Sequence, residues 1–166
     1  MTYQRFEDLP AWQEAIRLAE GCEDFLHEAK DRISFSKRDQ LDRCSLSVSN
    51  NIAEGFERGT TNELLAFLYI ARGSAGEVRS MLGYFERRPA LRDFKSQISN
   101  LKSLAESCSR QIRAWADSLQ NSGIKGQRHL TEKSRSQSGA QKRALESWQR
   151  IKDSIPDGHP AKKPKI

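Results

Sequence analysis

The sequence predicts an all-α protein: four helices followed by a basic tail. Three observations carry that reading. Apolar residues recur at three- and four-residue steps through most of residues 9–119, the period of helices with one buried face. No stretch gives the signal of a strand. Charge is also segregated along the chain. Residues 1–120 carry 17 Lys/Arg against 18 Asp/Glu, a net of −1, whereas residues 121–166 carry 11 against 4, a net of +7. The expected organisation is therefore a helical domain over 1–120 and a basic, largely disordered tail over 121–166.

The first helix is predicted from about Leu9 to Ala29. Asp8 is placed to cap it, and Pro10 suits its first turn, where a missing N–H is no loss. Its stripe is Trp12, Ile16, Ala19, Cys22 and Leu26, broadened by Leu18 and Phe25. Ser36-Lys37-Arg38-Asp39 resembles a capping box for the second helix, with Asp39 where Glu is usual. That helix carries Leu41, Cys44, Val48 and Ile52 beside the small residues Ser45, Ser49 and Ala53, which admit a close partner helix. Gly55 to Gly59 reads as the break after it.

Thr60-Thr61-Asn62-Glu63 is a capping box for the third helix, whose stripe is Leu64, Leu68, Ala71, Ala75, Val78 and Leu82. Gly73 and Gly76 lie inside it, each costing ~1 kcal/mol of helix propensity against alanine. Close approach of a neighbouring helix is the common reason to keep such residues. Pro89 ends this helix, because the residue before a proline is pushed out of helical geometry. The fourth helix, from about Leu91 to Leu119, has a heptad seam: Phe94, Ile98, Leu101, Ala105, Cys108, Ile112, Trp115 and Leu119. Beyond Asn121-Ser122-Gly123 the composition is that of a mobile arm. Within it, 141–155 is predicted as a short amphipathic helix with Leu145, Trp148, Ile151 and Ile155 on one side, marginal alone in water.

Several chemistries lack their residues. There is no phosphate-cradling G-x-x-x-x-G-K-[ST] loop and no G-x-S-x-G. Gly123-Ile124-Lys125-Gly126 matches a KH-type clamp, but that clamp needs strands. His27, His129 and His159 are far apart, and no metal-ligand spacing occurs. Cys22, Cys44 and Cys108 fall on apolar faces, where inert buried thiols are the rule. Three scattered cysteines and the lack of an apolar leader fit a reducing cytoplasm. No apolar run approaches the length of a membrane span. The expectation is a non-enzymatic protein without metal or cofactor.

The least ordinary segment is Ser49 to Gly59, followed by Phe67 to Glu77. Polar residues here interrupt core-facing helix. Asn51 and Glu54 are expected to answer Arg72, Ser74 or Glu77 across the second and third helices, fixing register. Gly55, Arg58 and Gly73 belong to the same group of structural residues.

Phe6-Glu7-Asp8-Leu9-Pro10-Ala11-Trp12-Gln13-Glu14-Ala15, the Asn51–Phe56 run and the Phe67–Glu77 run together resemble the four-helix-bundle proteins of 23S rRNA intervening sequences. The accessory variability proteins of diversity-generating retroelements belong to the same structural group. The resemblance covers about residues 3–120. It implies an antiparallel up-down four-helix bundle, a ring-like homopentamer, no enzyme activity and nucleic-acid binding. Two departures stand out: Ser49 occupies a position where such proteins often carry proline, and the bundle itself is near neutral.

Two functional readings follow. In the first, the bundle oligomerises and the tails bind phosphate through Lys125, Arg128, Lys133, Arg135, Lys142, Arg143, Lys162, Lys163 and Lys165. Binding would be salt-sensitive and sequence-tolerant, with His129 and Trp148 available for base stacking. In the second, the chain is a scaffold of a retroelement. Leu145, Trp148 and Ile151 then dock on a partner such as a reverse transcriptase, which binds together with its template RNA.

Overall fold

The computed structural model describes residues 3–121, 143 and 146–150. Four long helices dominate: α1 (Pro10–Glu28), α2 (Phe35–Glu57), α3 (Thr61–Glu86) and α4 (Lys95–Gln120). Short 3-10 turns at Phe6–Asp8 and Pro89–Phe94 precede α1 and α4. There is no strand among the described residues.

The termini obey local chemistry with three corrections. Pro10 occupies the first position of α1, but the N-cap is Leu9 and no side chain caps it; Asp8 is held in the preceding 3-10 turn. The capping box expected at Ser36–Asp39 does not form. The N-cap of α2 is Ser34, whose hydroxyl accepts from Lys37 Nζ at 3.0 Å rather than from the backbone. The break expected over Gly55 to Gly59 falls inside that span. Helix α2 runs through Gly55 to Glu57 and ends on the extended backbone of Arg58 (φ −71°, ψ 148°). Thr60 does cap α3, its Oγ1 accepting from the Glu63 N–H at 3.3 Å and donating to Glu63 Oε2 at 2.7 Å. Helix α3 stops at Glu86, ahead of the extended Arg88 that Pro89 requires. Helix α4 starts at Lys95 rather than Leu91. Leu91 departs from helical geometry (φ −111°, ψ 16°) and puts its side chain in the core.

Each helix packs on the next, and α1 packs on α4. Gln40 of α2 meets Glu77 of α3 while Ser47 meets Ser74, so these two helices run antiparallel. Lys102 meets Glu86 while Gln120 meets Tyr69, so α3 and α4 do too. The core follows the sequence stripes closely in α2 (Leu41, Cys44, Val48, Ile52) and α4 (Ile98, Leu101, Ala105, Cys108, Ile112), all buried. In α1 the stripe is rotated. Ala11, Ala15, Leu18, Cys22 and Phe25 face inward, whereas Trp12, Ile16 and Ala19 are half-buried.

Two glycines sit at close contacts between helices, and of these Gly55, against a Cβ, is the one that sets helix spacing. A Cβ on Gly21 of α1 would lie 2.8 Å from Leu101 Cδ2 of α4, and one on Gly55 would lie 2.7 Å from Phe67 Cβ of α3. At one end Phe25 packs against Phe85 (5.9 Å between centroids) and Phe94 (5.7 Å), joining α1, α3 and the start of α4.

The chain divides into two units, residues 1–128 and 129–166. In the second, residues 143 and 146–150 are helical and exposed. No described helix is long and apolar enough to cross a membrane.

Candidate functional site

The polar segment of α2 and α3 forms one relay across the helix pair. Asn51 Nδ2 donates to the Ser47 carbonyl at 2.7 Å and lies 3.0 Å from Ser47 Oγ. Ser47 Oγ pairs with Ser74 Oγ at 3.0 Å, and Ser74 Oγ reaches back to the Ile70 carbonyl at 3.2 Å. The relay is half-buried, and its one bond between the helices, Ser47–Ser74, holds register between α2 and α3 at ~1 kcal/mol, while the others orient the two hydroxyls from within their own helices. Asn51 thus reaches Ser74 through Ser47.

The other expected partners separate. Glu54 pairs with Arg58 at 2.6 Å along its own helix, and Arg58 lies over the Phe67 ring at 5.2 Å. Glu77 accepts from Gln40. Arg72 is half-buried and makes no hydrogen bond to Asn51 or Glu54. Glu54 and Glu77 therefore stand apart, each satisfied by a different neighbour. Ser47 and Gln40, the partners actually used, were missed. A hydroxyl one turn before Asn51 was the signal for the first.

The glycines divide sharply. Gly55 is buried at a close helix crossing. At Gly73 and Gly76 a Cβ would meet nothing within 4 Å, so the close approach expected there is not made by the described residues. Both project outward on α3, on the face that also exposes Tyr69 and Ile70, the latter 52% accessible. Gly83, further along α3, is also open.

The three thiols are free and buried. Burial, with smaller help from neighbouring charges, pushes Cys22, Cys44 and Cys108 each up to about 12. A thiol held so far above neutral pH is a poor nucleophile. Among the described residues no three His, Cys, Asp or Glu side chains gather to hold a metal ion. A groove of about 330 Å³ lies between the end of α1 and the start of α2, but it mixes Glu23, Asp39 and Asp42 with His27, Lys30 and Arg38.

Of the basic residues assigned to the tail, Arg143 is helical and exposed. Lys125, Arg128, Lys133, Arg135, Lys142, Lys162, Lys163 and Lys165 lie outside the described residues, as do His129, Leu145 and Ile151. Trp148 is helical and 65% accessible.

Comparison with known families matches residues 7–114 to the model described as 23S rRNA-intervening sequence protein. A comparison with curated proteins finds no match. The matched span begins in the turn before α1 and ends in the last turns of α4, so it includes the polar relay and both glycine sites.

Proposed function

This chain belongs to the 23S rRNA-intervening sequence protein family, and from that premise we propose that it is a non-enzymatic adaptor that assembles into an oligomer and binds nucleic acid. The observation that carries the reading is the charge distribution. A net of +7 sits in the last 46 residues, against −1 in the first 120. Lys- and Arg-rich arms of this kind neutralise phosphate without reading sequence.

The assembly proposed is a homopentamer of up-down antiparallel bundles. The outward face of α3 supports self-association. Gly73 and Gly76 cost helix propensity yet return nothing inside the protomer, and Tyr69 and Ile70 beside them are exposed. A second copy laid on this face would use the missing Cβ atoms for close approach. Five linked tails would raise avidity by ~10²–10⁴ over one. Three unpaired thiols suit work in a reducing cytoplasm.

The test is fluorescence anisotropy of labelled RNA and DNA with the full chain, across a range of salt concentrations. A full-length variant with Lys125, Arg128, Lys133, Arg135, Lys142 and Arg143 changed to Gln provides the comparison. Steep salt dependence in the wild type that flattens in the variant is expected. A wild type that binds neither nucleic acid refutes the reading. Light scattering near 18.9 kDa refutes the oligomer.

The exposed Trp148 favours a second reading. Here the chain is a scaffold related to the accessory proteins of diversity-generating retroelements, and Trp148 with Leu145 and Ile151 docks on a reverse transcriptase carrying its template RNA. Loss of that partner in Trp148→Ala with RNA binding intact supports it.

A further inference from the structure

The body of the protein is near neutral as a sum, but its charges are not evenly spread. Where α3 ends, Tyr84 stands as a ridge, 42% accessible. On one side is a groove of about 590 Å³ lined by Gly76, Arg79, Ser80, Gly83, Arg87 and Lys102, with Glu86 as its one carboxylate. On the other is a smaller hollow of about 140 Å³ that includes Arg32, Lys37 and Arg88. Six cations thus flank one aromatic ring, drawn from the α1–α2 connection, α2, α3 and α4.

Not all six are available. Lys102 pairs with Glu86 at 2.7 Å and holds that carboxyl below the usual carboxylate range. Arg32 donates to Asp93 at 2.7 Å and to the Ala90 carbonyl at 3.2 Å. Arg79 and Arg87 form no ion pair with a described residue. Lys37 and Arg88 lie over the Tyr84 ring, at 6.0 and 5.7 Å from its centroid. Among the described residues Lys37, Arg79, Arg87 and Arg88 therefore form no direct ion pair, although Arg87 also acts on the Glu86 carboxyl through space. Part of the floor of the larger groove is helix backbone laid bare by Gly83, where a Cβ would meet nothing within 4 Å; Gly76, at the other edge of the groove, belongs to the face proposed for self-association.

We propose that the Tyr84 ridge and its two basic hollows form a second nucleic-acid contact on the body of the protein. A single strand's phosphates lie along Arg79 and Arg87, and a base stacks on Tyr84. The proposal rests on the nucleic-acid binding proposed above and adds to it a site outside the tail. The chemistry favours a nucleic acid over an acidic protein. Unpaired guanidinium groups fit phosphate oxygens, and an exposed aromatic ring between cations is a stacking platform for any base. Bare helix backbone admits a sugar–phosphate chain that a Cβ row would hold off.

The test uses the full chain and a fluorescein-labelled single-stranded RNA, with binding followed by anisotropy against salt. R79Q/R87Q removes two phosphate contacts from exposed positions. The salt slope is expected to fall by about 1.4, which is about 25-fold weaker binding at roughly 0.1 M salt relative to 1 M. R79K/R87K should keep most of the affinity. Tyr84→Leu should weaken single-stranded RNA by about fivefold or more while sparing duplex RNA. Unchanged RNA binding by R79Q/R87Q, with weakened binding by the tail variant, overturns the inference and leaves the tail reading standing. A wild type that binds no nucleic acid overturns both. Binding of poly-glutamate lost in R79Q/R87Q while RNA binding is kept assigns the surface to an acidic protein and overturns the inference.

Discussion

Replacing Gly55 with alanine tests the close crossing of α2 and α3. On propensity alone the change should help, because alanine is better than glycine in a helix interior by ~1 kcal/mol. Packing opposes it. The new Cβ would sit 2.7 Å from Phe67 Cβ and 3.2 Å from Leu64 Cδ1, against a comfortable carbon–carbon separation of about 3.5–4.0 Å. Phe67 Cβ is attached directly to the α3 backbone, so no side-chain rotation relieves the overlap. The two helices must part by about 1 Å, and their shared core, including Ile52 and Leu68, must follow. Overpacking of this kind costs about 1–3 kcal/mol, and the upper end applies where backbone must move. Offset by propensity, the net is about 2 kcal/mol of destabilisation. For a domain of this size that is a fall in Tm of roughly 6–8 °C. Thermal melts followed by circular dichroism at 222 nm, the ordinary helix wavelength, measure it. A Gly55→Ala protein that melts at or above the wild-type temperature refutes the packing argument.

The same substitution at Gly73 or Gly76 should act oppositely, raising stability by about 0.5–1 kcal/mol each in dilute urea melts, since open space surrounds both positions. If the α3 face joins copies, G73A/G76A should also lower the oligomer mass by light scattering; an unchanged mass removes these glycines from the interface. Thr60→Ala should cost about 1 kcal/mol by loss of the cap on α3, and Thr60→Ser should restore most of it. The three thiols predict alkaline sensitivity. Burial raises their folded values from 9.0 to about 12, so the unfolded chain ionises first as pH rises through about 9. Well below that pH little stability is lost; by about pH 10 each thiol should cost on the order of 1 kcal/mol, a few kcal/mol together. Urea melts at both pH values measure the loss, and replacing Cys108 with alanine should shrink the pH-dependent part by about a third.

Much of the fold was legible because helical period alone decides which residues share a face. The stripe of α3 is buried as its spacing requires, as are Leu41, Cys44, Val48 and Ile52 of α2 and the middle of the α4 seam; at its ends Phe94, Trp115 and Leu119 are only half-buried and Ala116 is buried instead, and the Thr60–Glu63 signature caps α3. The inward face of α1 was harder. Trp12 and Ile16 outweigh Ala11 and Ala15 in any hydrophobic pattern, yet the small residues sit innermost, where α1 must lie close to its neighbours. The caps expected from Asp8 and Ser36 failed because capping depends on a few dihedral angles. The 3-10 turn before α1 and the earlier start of α2 set those angles.

The helical class, the four segments and the division of charge between residues 1–120 and 121–166 can be read along the chain. These follow from period, composition and charge, which are properties of the chain in order. Tertiary structure alone decided what the glycines do and where the body's charges meet. Gly55 and Gly73 are the same residue in similar helices, but one faces Phe67 and the other faces open space. Arg32, Lys37, Arg79, Arg88 and Lys102 are scattered along the chain among as many acids. The packing of antiparallel helices brings their ends together around Tyr84. Neighbourhood in space depends on crossing geometry, and no sum of charges taken along the sequence contains it.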